Sequence, residues 1–228
     1  MPNFDILKQS PITNSFRVAA IKSIFDISDD KIIEHFTGNI DIENREWNIG
    51  IIYGASGSGK STIGKELFPE HYICSFKYQA KTIIDDMPED ADIKTITSIF
   101  NSVGFSSPPS WLKPYSVLSN GEKMRVDLAR ALLEKKDMIV FDEFTSVINR
   151  EVAKIGSIAV QKAIRKMNRK FIAISCHEDI IDFLEPDWIY NTNTGGFFLV
   201  ENIKDHQSKS RYINAREMFG ELLSVITI

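Results

Sequence analysis

Cysteine is almost missing from this chain: there are two in 228 residues, Cys74 and Cys176, far apart and outside any CxxC spacing. That excludes a disulfide framework and a cysteine-built zinc site, and it leaves two reduced thiols expected to act as packing residues. Long apolar runs are missing too. No stretch approaches the length of a bilayer span, so direct membrane insertion is excluded. The start, Met1-Pro2-Asn3-Phe4-Asp5, lacks the charged and apolar regions of a secretion signal. A soluble, cytoplasmic chain is expected. Neither charge sign is in excess: 27 Lys and Arg against 31 Asp and Glu leave a net charge of -4, so no global positive field draws the chain onto nucleic acid or acidic lipid. Internal repeats and low-complexity segments are absent, which removes solenoids and propellers.

What is present is a core-forming composition, 43% hydrophobic, enough for one domain over residues 1–228. Residues 1–47 read as N-terminal strands and a linker. An apolar run over 48–53 suits a buried parallel strand, and a helix over 62–68 is stopped by Pro69. Strands are expected at 71–76 and 82–85. A short helical insertion at 88–117 contains a helix over 92–103, closed by Gly104 and then Ser106-Ser107-Pro108-Pro109. Arg125, Leu128, Ala129, Leu132 and Leu133 fall at helical spacing after Asn120, and Met138–Phe141 is the next apolar strand.

A helix over 150–168 puts Val152, Ile155, Ala159, Ala163 and Met167 on one side and Lys162, Arg165, Lys166 and Arg169 on the other. The basic row reads as a solvated face before it reads as a nucleic-acid contact. Strands at 171–175, 188–190 and 196–200 follow. The C-terminal segment 201–228 holds an amphipathic helical pattern at 208–223, suited to packing on the domain or on a partner. Strands alternating with helices predict an α/β fold with a mostly parallel sheet covered on both faces.

Within this order, Gly54-Ala55-Ser56-Gly57-Ser58-Gly59-Lys60-Ser61 matches the phosphate-loop pattern G-x-x-x-x-G-K-[ST] without a mismatch. Its glycines let the backbone pass close to an anion and turn N–H groups inward at a helix N-terminus. Lys60 is placed to reach the β and γ phosphates of ATP, the Ser61 hydroxyl to ligate Mg²⁺, and Thr62 to extend the nucleotide-binding set. At the end of the strand Met138–Phe141 stand Asp142 and Glu143, where open α/β sheets put their ligand sites. Asp142 is the candidate for the Mg²⁺ shell and Glu143 for orienting or deprotonating the attacking water. His177, after the strand at 171–175, is a third catalytic candidate, able to hydrogen-bond the γ-phosphate or hold Glu143 and the water.

The motif order resembles that of ABC-type ATPases, a branch of the P-loop NTPases. It runs from the phosphate loop through Leu118-Ser119-Asn120-Gly121-Glu122 and Asp142-Glu143 to Phe144-Thr145-Ser146-Val147-Ile148-Asn149 and His177. The resemblance spans residues 48–178. It implies two copies packed head to tail around two ATP molecules, with Ser119 and the Gly121 backbone meeting ATP held by the other copy. Three departures stand out. Asn120 replaces the first glycine of the usual Leu-Ser-Gly-Gly-Gln, and its tolerance of positive φ would preserve a turn. Asn149 replaces an aspartate. The expected glutamine before the helical region has no clear counterpart, with Asp85 or Asp86 nearest and Gln79 a weaker candidate. Phe25 reads as a core residue before it reads as a platform for adenine.

The wording Asp142-Glu143-Phe144-Thr145-Ser146, Ser175-Cys176-His177-Glu178-Asp179 and Pro186-Asp187-Trp188 further resembles a soluble ABC ATPase group found alone or fused to an acetyltransferase-like domain, often phage or mobile-element encoded. No acetyltransferase-like domain fits in the remaining residues. The resemblance implies an ATP hydrolase that forms an ATP-dependent homodimer and drives an unknown protein partner, with nucleic acid as a possible target. The helical insertion is shorter than the one transporter ATPases use to dock on membrane subunits. The alternatives are the ATP-binding subunit of a membrane transporter and a nonhydrolytic nucleotide-dependent scaffold.

Overall fold

The computed structural model describes residues 3–28, 31–134, 136–146 and 148–200. A two-stranded antiparallel hairpin comes first, β1 (Asn3–Pro11) and β2 (Lys31–Asn39), with α1 (Phe16–Ile24) between its strands. The main sheet has the order β4-β5-β6-β3-β7-β8, built from β3 (Ile49–Tyr53), β4 (Tyr72–Ile73), β5 (Met138–Phe141), β6 (Lys170–Ser175), β7 (Trp188–Asn191) and β8 (Gly196–Leu199). Every neighbouring pair is parallel except the terminal β7–β8 hairpin. The mostly parallel α/β sheet expected from the alternating pattern is therefore present.

β3 lies in the interior of the sheet and all five of its residues are buried. A side chain at Gly50 would place Cβ 2.0 Å from the Trp188 ring, so only glycine lets the β7 indole lie flat against β3. The main core gathers Phe100, Leu128, Ile139, Phe144 and Phe171 on one face, and a second cluster of Ile52, Ile63, Ile172, Ile174 and Trp188 fills the other. The helices are α2 (Lys60–Leu67), α3 (Ile93–Ser102), α4 (Pro108–Trp111), α5 (Asn120–Leu133), α6 (Arg150–Met167) and α7 (Ile181–Leu184). α1, α3, α5 and α6 each start on a side-chain cap: Ser15, Asp92, Ser119 and Asn149.

Several expectations are corrected. Residues 82–85 form no strand. Ile83 is fully buried with its N–H on the Lys113 carbonyl at 2.9 Å, and Ile84–Asp86 make a 3₁₀ turn. The paired aspartates take local donors instead: Asp86 accepts the N–H groups of Gln79 and Ala80, and Asp85 accepts the Thr82 hydroxyl. The strand expected at 71–76 shrinks to Tyr72–Ile73. The chain then leaves the sheet toward α5, where Arg130 donates to the Lys77 carbonyl at 2.8 Å and lies over the rings of Phe76 and Tyr78.

The buried face of α6 is Ala153, Gly156, Ser157, Val160, Ala163 and Ile164, rotated from the larger side chains that suggested it, and Ile155 is 54% exposed. Small residues win because α5 comes close: a Cβ on Gly156 would lie 2.9 Å from the Met124 methyl. Cys74 and Cys176 are exposed rather than packed, each one residue past the end of a strand. Phe25 is 67% exposed and belongs to no core. The helical pattern at 208–223, with the rest of 201–228, lies outside the described residues.

Half of the basic row at the end of α6 is spent inside the fold. Arg165 pairs with Asp187 at 3.0 Å, and Arg169 donates to the carbonyls of Leu132, Glu134 and Lys136 at 2.6–2.7 Å, closing the C-terminal end of α5. Lys162 and Lys166 stay exposed.

Candidate active site

Strand register alone brings three motifs to one edge of the sheet. Tyr53 pairs with Ser175, and Phe141 with Ala173, so the chain leaves β3, β5 and β6 in the same direction. The phosphate loop follows β3, Asp142-Glu143 follows β5, and Cys176-His177 follows β6. This is the carboxyl edge, where parallel sheets gather ligand sites.

The loop is held open by glycine. Gly57 and Gly59 have φ of +80° and +84°, a region that costs other residues about 1–2 kcal/mol. Gly59 is the N-cap of α2 and provides no side-chain cap, so the first amide groups of this helix stay available for an anion. Lys60 Nζ folds back on the Ala55 carbonyl at 2.6 Å. Ser58 Oγ donates to the same carbonyl at 2.8 Å, so the loop is tied across its own width.

Asp142 is 6% exposed and well supplied with donors. Its Oδ1 accepts from Ser61 Oγ at 3.1 Å and from the Glu143 N–H at 2.9 Å, and its Oδ2 accepts from the Tyr72 hydroxyl. Burial, then the Asp142 carboxylate, raises the Tyr72 phenol well above its usual value, so it remains a donor. Burial likewise pushes the Tyr53 phenol up to about 12, with the Glu178 carboxylate adding to the effect.

Glu143 is exposed and has φ of +53°; Thr145, two residues on, has φ of +66° and is 1% exposed. A β-branched residue in that region is a true outlier, sustained here by the fully buried Phe144 between them and its N–H bond to the Ile174 carbonyl at 2.9 Å. The strained turn projects Glu143 out of the sheet edge. His177 is half-buried, and its N–H rests on Ser175 Oγ at 3.1 Å.

Ser119 and Gly121 stand apart from this cluster. Ser119 is exposed, and its bonds run to Glu122 and Lys123 in a capping box, with Glu122 also accepting the Ser110 hydroxyl. Gly121 faces Val152 of α6, 3.5 Å from a would-be Cβ. Asn120 is the first helical residue and is absent from the positive-φ positions, so the glycine it replaces is not needed for a turn. Asn149 caps α6 by accepting the Val152 N–H at 2.9 Å.

Sequence reasoning missed the braces of the loop. Thr192 Oγ1 meets Ser58 Oγ at 2.5 Å, Asn193 Oδ1 accepts the Ala55 N–H at 3.0 Å, and Lys8 Nζ donates to Thr62 Oγ1 at 3.0 Å. The Phe36 ring lies against Gly59, 2.3 Å from where a Cβ would stand. No periodicity or motif marks these residues. Past Tyr72, the segment carrying Gln79 is tied to α5, because Tyr78 and Tyr115 stack at 3.9 Å and both donate to Asp127, at 2.7 and 2.8 Å. Since 82–85 is no strand, β4 is the strand that precedes the helical region, and Gln79 follows it more closely than Asp85 or Asp86.

Among the described residues no helix is long and apolar enough to cross a membrane. A family model described as ABC transporter matches residues 68–146, taking in Ser119, Asp142 and Glu143. The energy-coupling factor transporter ATP-binding protein EcfA1 of Listeria monocytogenes is 28% identical over 198 residues, 69% of this chain and 68% of its own length. An ABC transporter ATP-binding protein of Haemophilus influenzae is 30% identical over 147 residues, 52% of this chain and 59% of its own.

Among solved structures, the post-hydrolysis dimer of the ATP-binding cassette MJ0796 bound to ADP and Pi has a TM-score of 0.58 at 14% identity, covering 75% of this chain and 94% of that one. A second dimeric structure of MJ0796, a bacterial ABC transporter cassette, has a TM-score of 0.55 at 14% identity, covering 82% and 94%. With the parallel sheet, the glycine loop and the strand-end carboxylates on one edge, the chain has the α/β P-loop NTPase fold of ATP-binding cassettes and is similar in sequence to ABC transporter ATP-binding proteins.

Proposed function

We propose that two copies of this chain close head to tail on two ATP molecules, and that hydrolysis reopens them to move a partner protein. The observation that carries this reading is the separation of two prepared half-sites. The uncapped start of α2, Lys60, Ser61, Asp142 and Glu143 gather at the sheet edge, while Ser119 sits exposed at the start of α5 with bonds only inside its first turn. A second copy would bring Ser119 and the Gly121 amide to the outer phosphate, at a helix N-terminus that favours an anion.

In this reading the backbone from Gly54 to Gly59, with Thr62, cradles the phosphates, and Lys60 leaves the Ala55 carbonyl to reach the β and γ phosphates. Ser61 Oγ and Asp142, 3.1 Å apart, are a hydroxyl and a carboxylate, a hard oxygen pair that suits Mg²⁺ completed by phosphate and water. The ion would supply charge neutralisation on the β and γ oxygens. Glu143, aimed outward by its strained turn, orders or deprotonates the attacking water, and His177 hydrogen-bonds the γ-phosphate.

The partner docks on the helical region, whose Ile93, Leu112 and Val117 are each 64–65% exposed. A nucleic-acid target has little support, because Arg165 and Arg169 are occupied within the fold. The narrower likeness to soluble ABC ATPases of phage and mobile elements rests on the wording around Asp142, His177 and Trp188. The names of the relatives favour a second reading, the ATP-binding subunit of a transporter. The ten-residue α3 and four-residue α4 weigh against it as a short docking lever.

The test uses Glu143→Gln. With Mg-ATP, light scattering is expected to show a dimer that falls apart when ATP is removed, while the unaltered protein hydrolyses ATP. A strictly monomeric Glu143→Gln protein with ATP bound would refute the sandwich. Capture of an integral membrane protein by the trapped dimer would select the transporter reading over the soluble one.

A further inference from the structure

We propose that Tyr72 is a positioning residue for the metal site: its phenol holds one oxygen of Asp142 so that the other is presented to Mg²⁺. The inference rests on the reading of Asp142 as a metal ligand. It goes further by assigning a residue outside the recognised motifs to set that ligand's orientation.

The geometry is local and specific. β4 pairs with β5 so that Tyr72 lies beside Val140 and Ile73 beside Phe141, and the Asp142 N–H continues the ladder to the Ile73 carbonyl at 2.8 Å. With a side-chain period of two, Tyr72, Val140 and Asp142 share one face of the sheet, the face covered by α2. The Tyr72 ring lies 3.6 Å from a would-be Cβ on Gly64 of α2, so ring position and phenol direction are set together.

The two carboxylate oxygens then have separate duties. Oδ1 takes Ser61 Oγ and the Glu143 N–H, and Oδ2 takes Tyr72. Ser61 and Oδ1 form the pair that the metal would join. Tyr72 is the donor on the opposite oxygen, and without it a carboxylate only 6% exposed is left with one unpaired oxygen and is free to rotate away from the Ser61 side. Partners that orient a ligating carboxylate are worth about 10–100-fold in metal affinity.

The test is Tyr72→Phe, which keeps the ring and its packing on α2 and removes one oxygen. Mn²⁺ binding to the ADP-loaded protein is titrated by electron paramagnetic resonance, beside ADP affinity in the absence of metal and metal-dependent turnover. The expected result is Mn²⁺ affinity weakened about tenfold, with metal-free ADP affinity unchanged. The metal concentration for half-maximal turnover should rise by the same factor, while kcat at saturating metal stays within about threefold. Unaltered Mn²⁺ affinity in Tyr72→Phe would overturn the proposal, as would parallel losses of metal and metal-free ADP binding, which mark a general structural defect. Asp142→Asn separates the two levels. If it abolishes Mn²⁺ binding while Tyr72→Phe does not change it, the Tyr72 assignment falls and the metal site stands; if Asp142→Asn also binds Mn²⁺ normally, the reading of Asp142 falls with it.

Discussion

Alanine at Gly57 and at Gly59 separates backbone strain from collision in the phosphate loop. Both glycines have nearly the same φ, +80° and +84°, but a Cβ on Gly57 meets nothing within 4 Å, whereas one on Gly59 comes within 2.3 Å of the Phe36 ring. The left-handed region costs alanine about 1–2 kcal/mol. Loss of unfolded-state freedom returns about 0.4–1 kcal/mol of that. Gly57→Ala should therefore destabilise by about 1 kcal/mol or less. Gly59→Ala carries the same backbone cost and must also push Phe36 off the loop, forfeiting part of the roughly 1.5–3 kcal/mol that burial of a phenylalanine contributes. A total loss of about 2–3 kcal/mol is expected.

The assay is urea denaturation of Gly57→Ala, Gly59→Ala, Phe36→Ala and the Gly59→Ala/Phe36→Ala pair. In the double variant the collision is gone, so the two losses should fall short of additivity by about 1 kcal/mol or more. Binding of a fluorescent ATP analogue to the same proteins reports whether the loop still accepts phosphates. Equal destabilisation by Gly57→Ala and Gly59→Ala, or strict additivity with Phe36→Ala, would refute the packing of the N-terminal hairpin on the loop.

Two other perturbations bear on the frame around the site. Asp187 Oδ2 accepts the N–H groups of Asn48 and Ile49 at 2.7 and 2.9 Å, so Asp187→Ala leaves two backbone donors at the start of β3 unpaired; a loss of about 2–4 kcal/mol is expected in thermal or urea unfolding. Asp187→Asn, which keeps an acceptor oxygen, should lose less, and an equal loss would contradict the account. Glu122 is held below its usual 4.5 by the Ser119 N–H and then the Ser119 hydroxyl. Because its folded value is depressed, its contribution is fully present above the ordinary carboxylate range and is lost as pH falls from that range through the lower folded value. The stability gap between the unaltered protein and Glu122→Gln should accordingly close on acidification. A gap that stays constant across that range would rule out the charged capping box.

The parts legible in the chain were those whose physics is local. The glycine loop and the strand-end pair Asp142-Glu143 each depend on backbone preferences and hydrogen bonds within a few residues, so spacing alone located them. The same locality misled at 82–85, where aspartates took nearby amides and one buried isoleucine imitated a strand. It misled again on α6, where side-chain size pointed to Ile155 and Met167 although close helix packing required Ala153, Gly156 and Ser157.

Tertiary structure alone decided which distant groups finish the site. Thr192 reaches Ser58 across 134 residues, Tyr72 reaches Asp142 across 70, and Lys8 reaches Thr62 across 54. It also decided that Arg165 and Arg169 bind their own fold instead of facing solvent, because the turn before β7 and the end of α5 supply the acceptors. A motif records what a short stretch of backbone must do for a phosphate. Which side chains brace that stretch depends on strand order and helix approach, and those emerge only when the whole sheet has formed.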